Sequence, residues 1–474
     1  MNTAPTGQAD LDYDRERERR ARWQMSIGVL VASLVLYHVS AVTQFALVDQ
    51  FFDFAHYYLY ARNLIEGRSL FNLEAPRLLA EQLGIRYADV PPNYPPPFYL
   101  AMSFLSFLPY HLASLVWLLL NELFLIAALV WRGAGRIHRN PVRVATLALV
   151  VLAFQPLYET LALGQANLML LAGVVLAIRL WVVGSLWSGI VLGLVVLVKP
   201  QFSLLGLLWL RQPDWRHLGT AAGTVGLISL GTLPAVGWDA WINYFDYLRD
   251  FPCDISLWAL NISLRGFLFR VKGACRADGF GDPLAVVWAA IVVVVLGMMT
   301  WYLWTHPPTD RQGRFRAASL ILCVIYLVSP YTQEHHLTVL LMAFAGLALD
   351  IERPLEGIQR WGWVGAYALL ATAYSLVRFP AVHLGLPSVL LFGKGLGIIL
   401  LGALLATSPR PGRPSGHALL PLLLATVGGA RTAHAFLKVF LLGQLGFAGL
   451  LEICLASVLL IVWSTLRMVR LVKA

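Results

Sequence analysis

The sequence predicts an all-α polytopic membrane protein. Of its 474 residues, 58% are hydrophobic and only 13% charged. The apolar residues gather in long blocks, which packed into a soluble core would leave wide exposed patches. The Lys and Arg residues behind the formal net charge of +10 sit mainly in short tracts between those blocks, as the positive-inside rule asks of cytoplasmic loops. Charge therefore reports topology, and no nucleic-acid partner is expected.

Residues 1–22 read as a basic cytoplasmic tail ending in RERERRAR. Residues 23–48 form a nearly uncharged run long enough to span, with no small-residue cleavage site, so an uncleaved first span is expected. The chain then emerges into a large outer loop, about 49–110. Within it, residues 54–65 mix aromatic and aliphatic side chains with Arg62 and Asn63, which suits a helix lying in the membrane interface. NYPPPF, 93–98, is expected to be non-helical because proline removes a donor and biases its predecessor to extended backbone. Residues 99–108 are apolar but too short to cross, so a second interfacial or re-entrant helix is expected.

Further spans are expected at 111–131, 144–158, 168–183, 218–236, 283–304, 317–329, 337–349, 361–377 and 386–407, with two or three after 419. The apolar run 186–210 is cut by Lys199 and Pro200 and reads as a broken hairpin, a form tolerated at depth only against protein or a wet cavity. The basic tracts 132–143, 306–316 and 408–416 then fall inside. The total is about 12 spanning helices on the ~20-residue criterion. The expected organisation is one integral membrane domain, 23–467, with a second outer loop at 238–282 and a cytoplasmic tail, 468–474. Cys253 and Cys275 share that second loop and can pair in an oxidising compartment or stand as two free thiols. Cys323 and Cys454 lie in apolar blocks.

With this topology the unusual polar residues collect on the outer side: Asp49, Asp53, Asn93, Tyr94, Gln165, Asn167, Lys199, Asn261, Arg270, Glu334, His335, His336 and Arg378. Charges at membrane depth are expensive, so a shared outward cavity is the functional expectation. Duller readings stand beside it. Asp53 can simply cap the helix that follows, Lys199 can snorkel, and the histidines can be ordinary interface residues. Adjacent histidines on a helix point about 100° apart, which disfavours a metal site from that pair. No phosphate-loop, dinucleotide, HExxH or paired CxxC motif is present, and no GxSxG.

The order of motifs resembles glycosyltransferase family 87. These motifs are DFAHYYLYARNLIEG from Asp53, NYPPPF, GQANLMLL from Gly164, KP at Lys199, NISLRG from Asn261 and SPYTQEHH from Ser329. The resemblance runs from about residue 48 to about 349. It implies a membrane transferase of GT-C type that moves a sugar, often mannose, from a polyprenyl phosphate carrier to a lipid or glycan acceptor outside the cell membrane. It places the general base on Asp53, ahead of Tyr57 and Tyr58, and the late histidine on His335 or His336. Lys199, Arg270 and Arg378 are the candidates for the donor phosphate, with Asp49 in reserve as the carboxylate. No metal or other cofactor is expected. Two alternatives remain open: a lipid-linked sugar flippase, which should show paired broken helices in corresponding halves of the chain, and another GT-C enzyme such as a protein mannosyltransferase or an O-antigen ligase.

Overall fold

The structure is a computed structural model that describes residues 6–48, 51–87, 90–133, 140–210, 215–276, 281–349, 357–376, 378–379, 391–407, 419–436 and 452–463. Among the described residues it is helical, with no strand. The helices run α1 (Thr6–Val48), α2 (Phe52–Ile65), α3 (Glu74–Leu83), α4 (Pro96–Met102), α5 (Tyr110–Arg132), α6 (Pro141–Leu152), α7 (Gln155–Leu163), α8 (Asn167–Val182), α9 (Trp187–Val198) and α10 (Trp215–Val236). They continue as α11 (Trp238–Arg249), α12 (Cys253–Leu257), α13 (Leu264–Lys272), α14 (Pro283–Thr305), α15 (Arg311–Val328), α16 (Leu341–Leu349) and α17 (Gly357–Ala371), followed by Gly393–Thr407, Leu419–Phe436 and Glu452–Trp463.

Four helices, α1, α5, α10 and α14, are long and apolar enough to cross a membrane, and α6 with α7 would make a fifth, bent by 49°. α10 and α14 are the most lipid-like: only 11% and 17% of their apolar windows are buried in protein. The expected count of about 12 spans is not reached by single helices among the described residues. The apolar runs are cut into helices of 10–17 residues, such as α8 and α9.

Two cuts matter most. The expected one lies at Lys199, whose backbone is extended (φ −137°, ψ 104°) between α9 and a 3-10 helix, Pro200–Trp209. The other divides the run expected to span at 144–158. Pro156 occupies the first turn of α7, where its missing N–H costs nothing, and α6 therefore stops at Leu152. Side chains cap the carbonyls at the end of α6, that of Leu149 in addition to the Ala153 N–H it already accepts. Tyr367 Oη donates to the Leu149 and Val150 oxygens, Tyr158 Oη to Leu152 and Arg431 to Ala153.

Arg431 is itself a buried cation, held by Glu452 at 2.7 Å, by Tyr37 Oη at 2.9 Å and by Gln155 Oε1 at 3.1 Å. A lone charge in this apolar interior would be prohibitive, and the reciprocal carboxylate is what makes it tolerable.

The segments expected outside the membrane differ from expectation in two ways. α2 does not present an apolar stripe outward: Phe54 through Ala61 and Asn63 are all buried. It is a core helix because its aromatic residues pack on every side, against Tyr94, Phe98, Tyr110 and Trp117. In NYPPPF, only the first residues are non-helical; Pro96 and Pro97 begin α4, again at a first turn. Residues 99–108 do prove too short to cross, forming the end of α4 and one 3-10 turn, Leu105–Phe107. In the second loop, Cys253 and Cys275 form a disulfide, Cα to Cα 5.7 Å, which links the start of α12 to the segment just past α13.

Replacing Arg431 with Leu should strand Glu452 and cost about 3–5 kcal/mol, the usual penalty for breaking a buried pair. Thermal unfolding in detergent should show a large drop in Tm, partly recovered in the Arg431→Leu/Glu452→Leu double variant. Equal Tm values for single and double variants would remove the pair from the account of the break.

Candidate active site

Asp53 stands in the first turn of α2, two residues after Phe51, which is buried and has left-handed backbone (φ 45°, ψ 63°). The carboxylate does not serve as a helix cap: the N-cap is Phe51, and Asp53 Oδ2 instead accepts from Gln165 Nε2 at 2.6 Å. Gln165 Oε1 in turn accepts from Tyr57 Oη at 2.7 Å and Tyr94 Oη at 2.9 Å, and the two phenols lie 2.8 Å apart. This network sets the amide orientation, with nitrogen toward the carboxylate and oxygen toward the phenols.

Gly164 makes the contact possible. It has φ +68° at the α7–α8 turn, and a Cβ there would come within 2.7 Å of Phe54 Cβ and 3.1 Å of Phe51 Cβ. Without a side chain at 164 the turn closes on the start of α2 and carries Gln165 to Asp53. Trp117 Nε1 donates to the Gly164 carbonyl at 2.7 Å and fixes the turn.

Lys199, buried at the α9 break, donates to Asn167 Oδ1 at 3.1 Å and lies 5.7 Å from the Tyr94 ring centroid. Asn167 uses its nitrogen to hold the His335 carbonyl at 3.1 Å, which Thr160 Oγ1 also holds at 3.0 Å. The His335 and His336 rings sit edge to face, 4.4 Å between centroids. His336 Nδ1 accepts from the Gln333 N–H at 3.1 Å, so a neutral ring carries its proton on Nε2. His335 is 3% exposed, and its Nε2 has no hydrogen-bond partner among the described residues.

Asp53, Tyr57, Tyr94, Gln165, Asn167, Lys199, His335 and His336 therefore belong to one polar cluster. Its electrostatics are set by burial. Loss of water pushes the Asp53 carboxyl up to about 6, against the opposing pull of the Gln165 hydrogen bond and the Lys199 charge.

Other candidates are engaged elsewhere. Glu334 forms a buried pair with Lys394 at 3.1 Å and accepts from the Tyr374 N–H. Asn261 spends its side chain on main-chain groups of Ile255, Ser263, Pro330 and Thr332, binding the NISLRG loop to the SPYTQEHH segment. Arg270 donates to the Trp258 and Asn261 carbonyls. The Asn93 and Arg378 side chains are exposed. Asp49 lies outside the described residues.

Lys394 and Tyr331 were not singled out in the sequence. Lys394 interrupts an apolar run and could have been flagged by that alone. Tyr331 stacks on Trp258 at 6.2 Å and meets the His336 ring edge to face at 6.0 Å, contacts with no local signal.

Compared with known families, the model of glycosyltransferase family 87 matches residues 93–330, half of the chain. The chain belongs to glycosyltransferase family 87. The match takes in Tyr94, Gln165, Asn167 and Lys199, with Asp53 ahead of it and the histidine pair just beyond it. No curated protein matches the chain. The protein is thus a membrane glycosyltransferase, acting between a sugar donor and an acceptor. Among the described residues no group of three or more His, Cys, Asp or Glu could hold a metal ion.

The Gln165 hydrogen bond favours the ionised form of Asp53. Gln165→Leu should therefore raise the titration of Asp53 above about 6. Infrared difference spectra can follow it, through the protonated-carboxyl band that disappears in Asp53→Asn. A band that titrates at the same pH in Gln165→Leu would show that the bridge does not govern the carboxylate.

Proposed function

We propose that the protein transfers a hexose, mannose by the family resemblance, from a polyprenyl-phosphate donor to a lipid or glycan acceptor on the outer face of the cell membrane. Asp53 serves as general base. The observation that carries this reading is the single carboxylate whose Oδ2 is held by Gln165, with a buried ammonium, Lys199, in the same cluster. With one oxygen fixed, the other is available to take the proton of an acceptor hydroxyl as that hydroxyl attacks the anomeric carbon. The bond from that carbon to the phosphate oxygen breaks, and its electron pair leaves with the lipid phosphate. Lys199, with His335 or His336, stabilises the developing charge. Attack opposite the leaving group inverts the anomeric centre. The scheme calls on no metal or cofactor.

Arg270 and Glu334 take positioning roles here: Glu334 anchors the segment that carries His335 and His336, and Arg270 holds the Asn261 loop, which Asn261 ties to the main chain of Pro330 and Thr332 just ahead of those histidines. We assign the architecture to the GT-C type, in which the short apolar helices combine into about 12 crossings. The flippase alternative called for breaks in corresponding halves. The breaks at Ala153–Phe154 and Lys199 instead follow one another within α6–α9, which favours a single site framed by both.

Purified protein supplied with polyprenyl-phosphate mannose and a cell-envelope lipid extract should glycosylate the extract. Asp53→Asn should lower kcat/KM by about 10²–10⁴-fold. The base works only as carboxylate, so wild-type kcat/KM should fall about tenfold per pH unit below the Asp53 titration near 6. Full transfer by Asp53→Asn would sink the assignment, and donor transport without transfer would favour the flippase.

A further inference from the structure

α11 has three faces. Ala240 and Tyr244 are buried, with Tyr247 beside them. Asp239, Asn243 and Asp246 make a polar edge, and Arg249 pairs with Asp246 at 3.0 Å and with Asp250 at 2.9 Å. The third face carries Trp238, Ile242, Phe245 and Leu248, which are 65%, 46%, 57% and 44% exposed. At about 100° per residue these four fall within about 120° on one side of the helix, separate from the acidic edge, with Arg249 of the last turn between Trp238 and Ile242 and its side chain drawn toward Asp246 and Asp250.

What covers that face is indicated by where it begins. α10, the least buried of the candidate spans, keeps Leu227 and Leu230 75% and 64% exposed. Its last residue, Val236, is joined to α11 by Gly237 alone, whose φ of +80° turns the chain sharply. The exposed apolar residues of α11 thus follow those of α10 directly in the chain, across a one-residue turn. Trp238 and Trp241 lie just past that corner, where amphipathic indoles favour the headgroup level.

We propose that α11 lies in the headgroup layer of the bilayer, with Trp238, Ile242, Phe245 and Leu248 inserted among the lipids and the Asp239–Asp246 edge in water. This is the interfacial role that the sequence suggested for residues 54–65, moved to a helix whose apolar face is free. The occupant is the bilayer itself, through the same apolar continuity that seats α10.

The seating places the membrane surface beside the polar cluster. Phe251, just past the end of α11, packs against the Tyr331 ring at 6.5 Å between centroids, and Tyr331 in turn meets the His336 ring edge to face at 6.0 Å. On the reading that the donor is a lipid phosphate, α11 is a wall past which that lipid reaches Asp53. The seating itself does not depend on that reading.

The test uses the full chain in liposomes and no activity. Cys454 is the exposed free thiol and Cys323 is buried, so Cys454→Ser gives a background for labelling. A nitroxide is attached at Phe245→Cys or at Asn243→Cys, both exposed positions outside the core. Its relaxation is measured with dissolved oxygen and with a water-soluble nickel chelate. The label at 245 should favour oxygen over nickel at least several-fold, and the label at 243 should show the reverse. Equal nickel access at the two positions would overturn the proposal. So would protection of 245 from both reagents with spin–spin broadening between molecules, which would assign the face to a second copy of the chain.

Discussion

A helix cut short inside an apolar body leaves main-chain donors and acceptors that water cannot reach, and each has to find a partner in the protein. Much of the polar chemistry in this molecule follows from that constraint. At the α6–α7 break the partners are Tyr367, Tyr158 and Arg431. At the end of α17 they are Lys394, which donates to the Leu370 and Thr372 carbonyls, and Glu334, which accepts from the Tyr374 N–H. At these two breaks charges enter the interior because the interrupted helices need them, and they come as the pairs Arg431–Glu452 and Lys394–Glu334 because a lone charge is too costly.

The candidate site uses the same constraint in reverse. It lies where the α7–α8 turn, the Lys199 break and the Gln333–Leu340 segment meet. There the main chain is satisfied by Thr160, Asn167 and Thr338, and side chains are left to interact with one another. Thr338 Oγ1 donates to the Pro156 carbonyl at 2.7 Å, so the break at α6–α7 and the histidine segment are mechanically joined. A change at either should be felt by both.

The block pattern of hydropathy made the membrane class legible, because twenty apolar residues in a row have few other uses. The helix count was not legible, because hydropathy sums over a kink. Pro156 was visible inside 144–158, and the logic applied to Lys199 and Pro200 would have cut that run as well. Lys394, Arg431 and Glu452 were also visible as charges in apolar runs, but Arg431 reaches Tyr37 across 394 residues, and no spacing announces such a pairing. In the site, residue type pointed to Asp53, Gln165, Lys199 and the histidines. It could not separate them from Asn261, Arg270 and Glu334, which are equally polar but face main-chain carbonyls, amides or a counter-ion. The burial of α2 was hidden for a related reason: a helix aromatic on all sides can be packed by protein or by lipid, and only its neighbours decide.

The balance of charge in the cluster bears on what completes it. Lys199 donates to the neutral amide of Asn167, and Asp53 accepts from the neutral amide of Gln165. Each ion is therefore oriented by a dipole. A tight ion pair would neutralise both groups and leave neither able to answer a new charge. With each held by a neutral amide, the ammonium keeps donors for an anion and the carboxylate keeps a lone pair for a proton. On the proposed reading those are the two charges the reaction develops, on the departing phosphate and on the attacking hydroxyl. The two amides then orient the ions without neutralising them, and substrate supplies what each lacks.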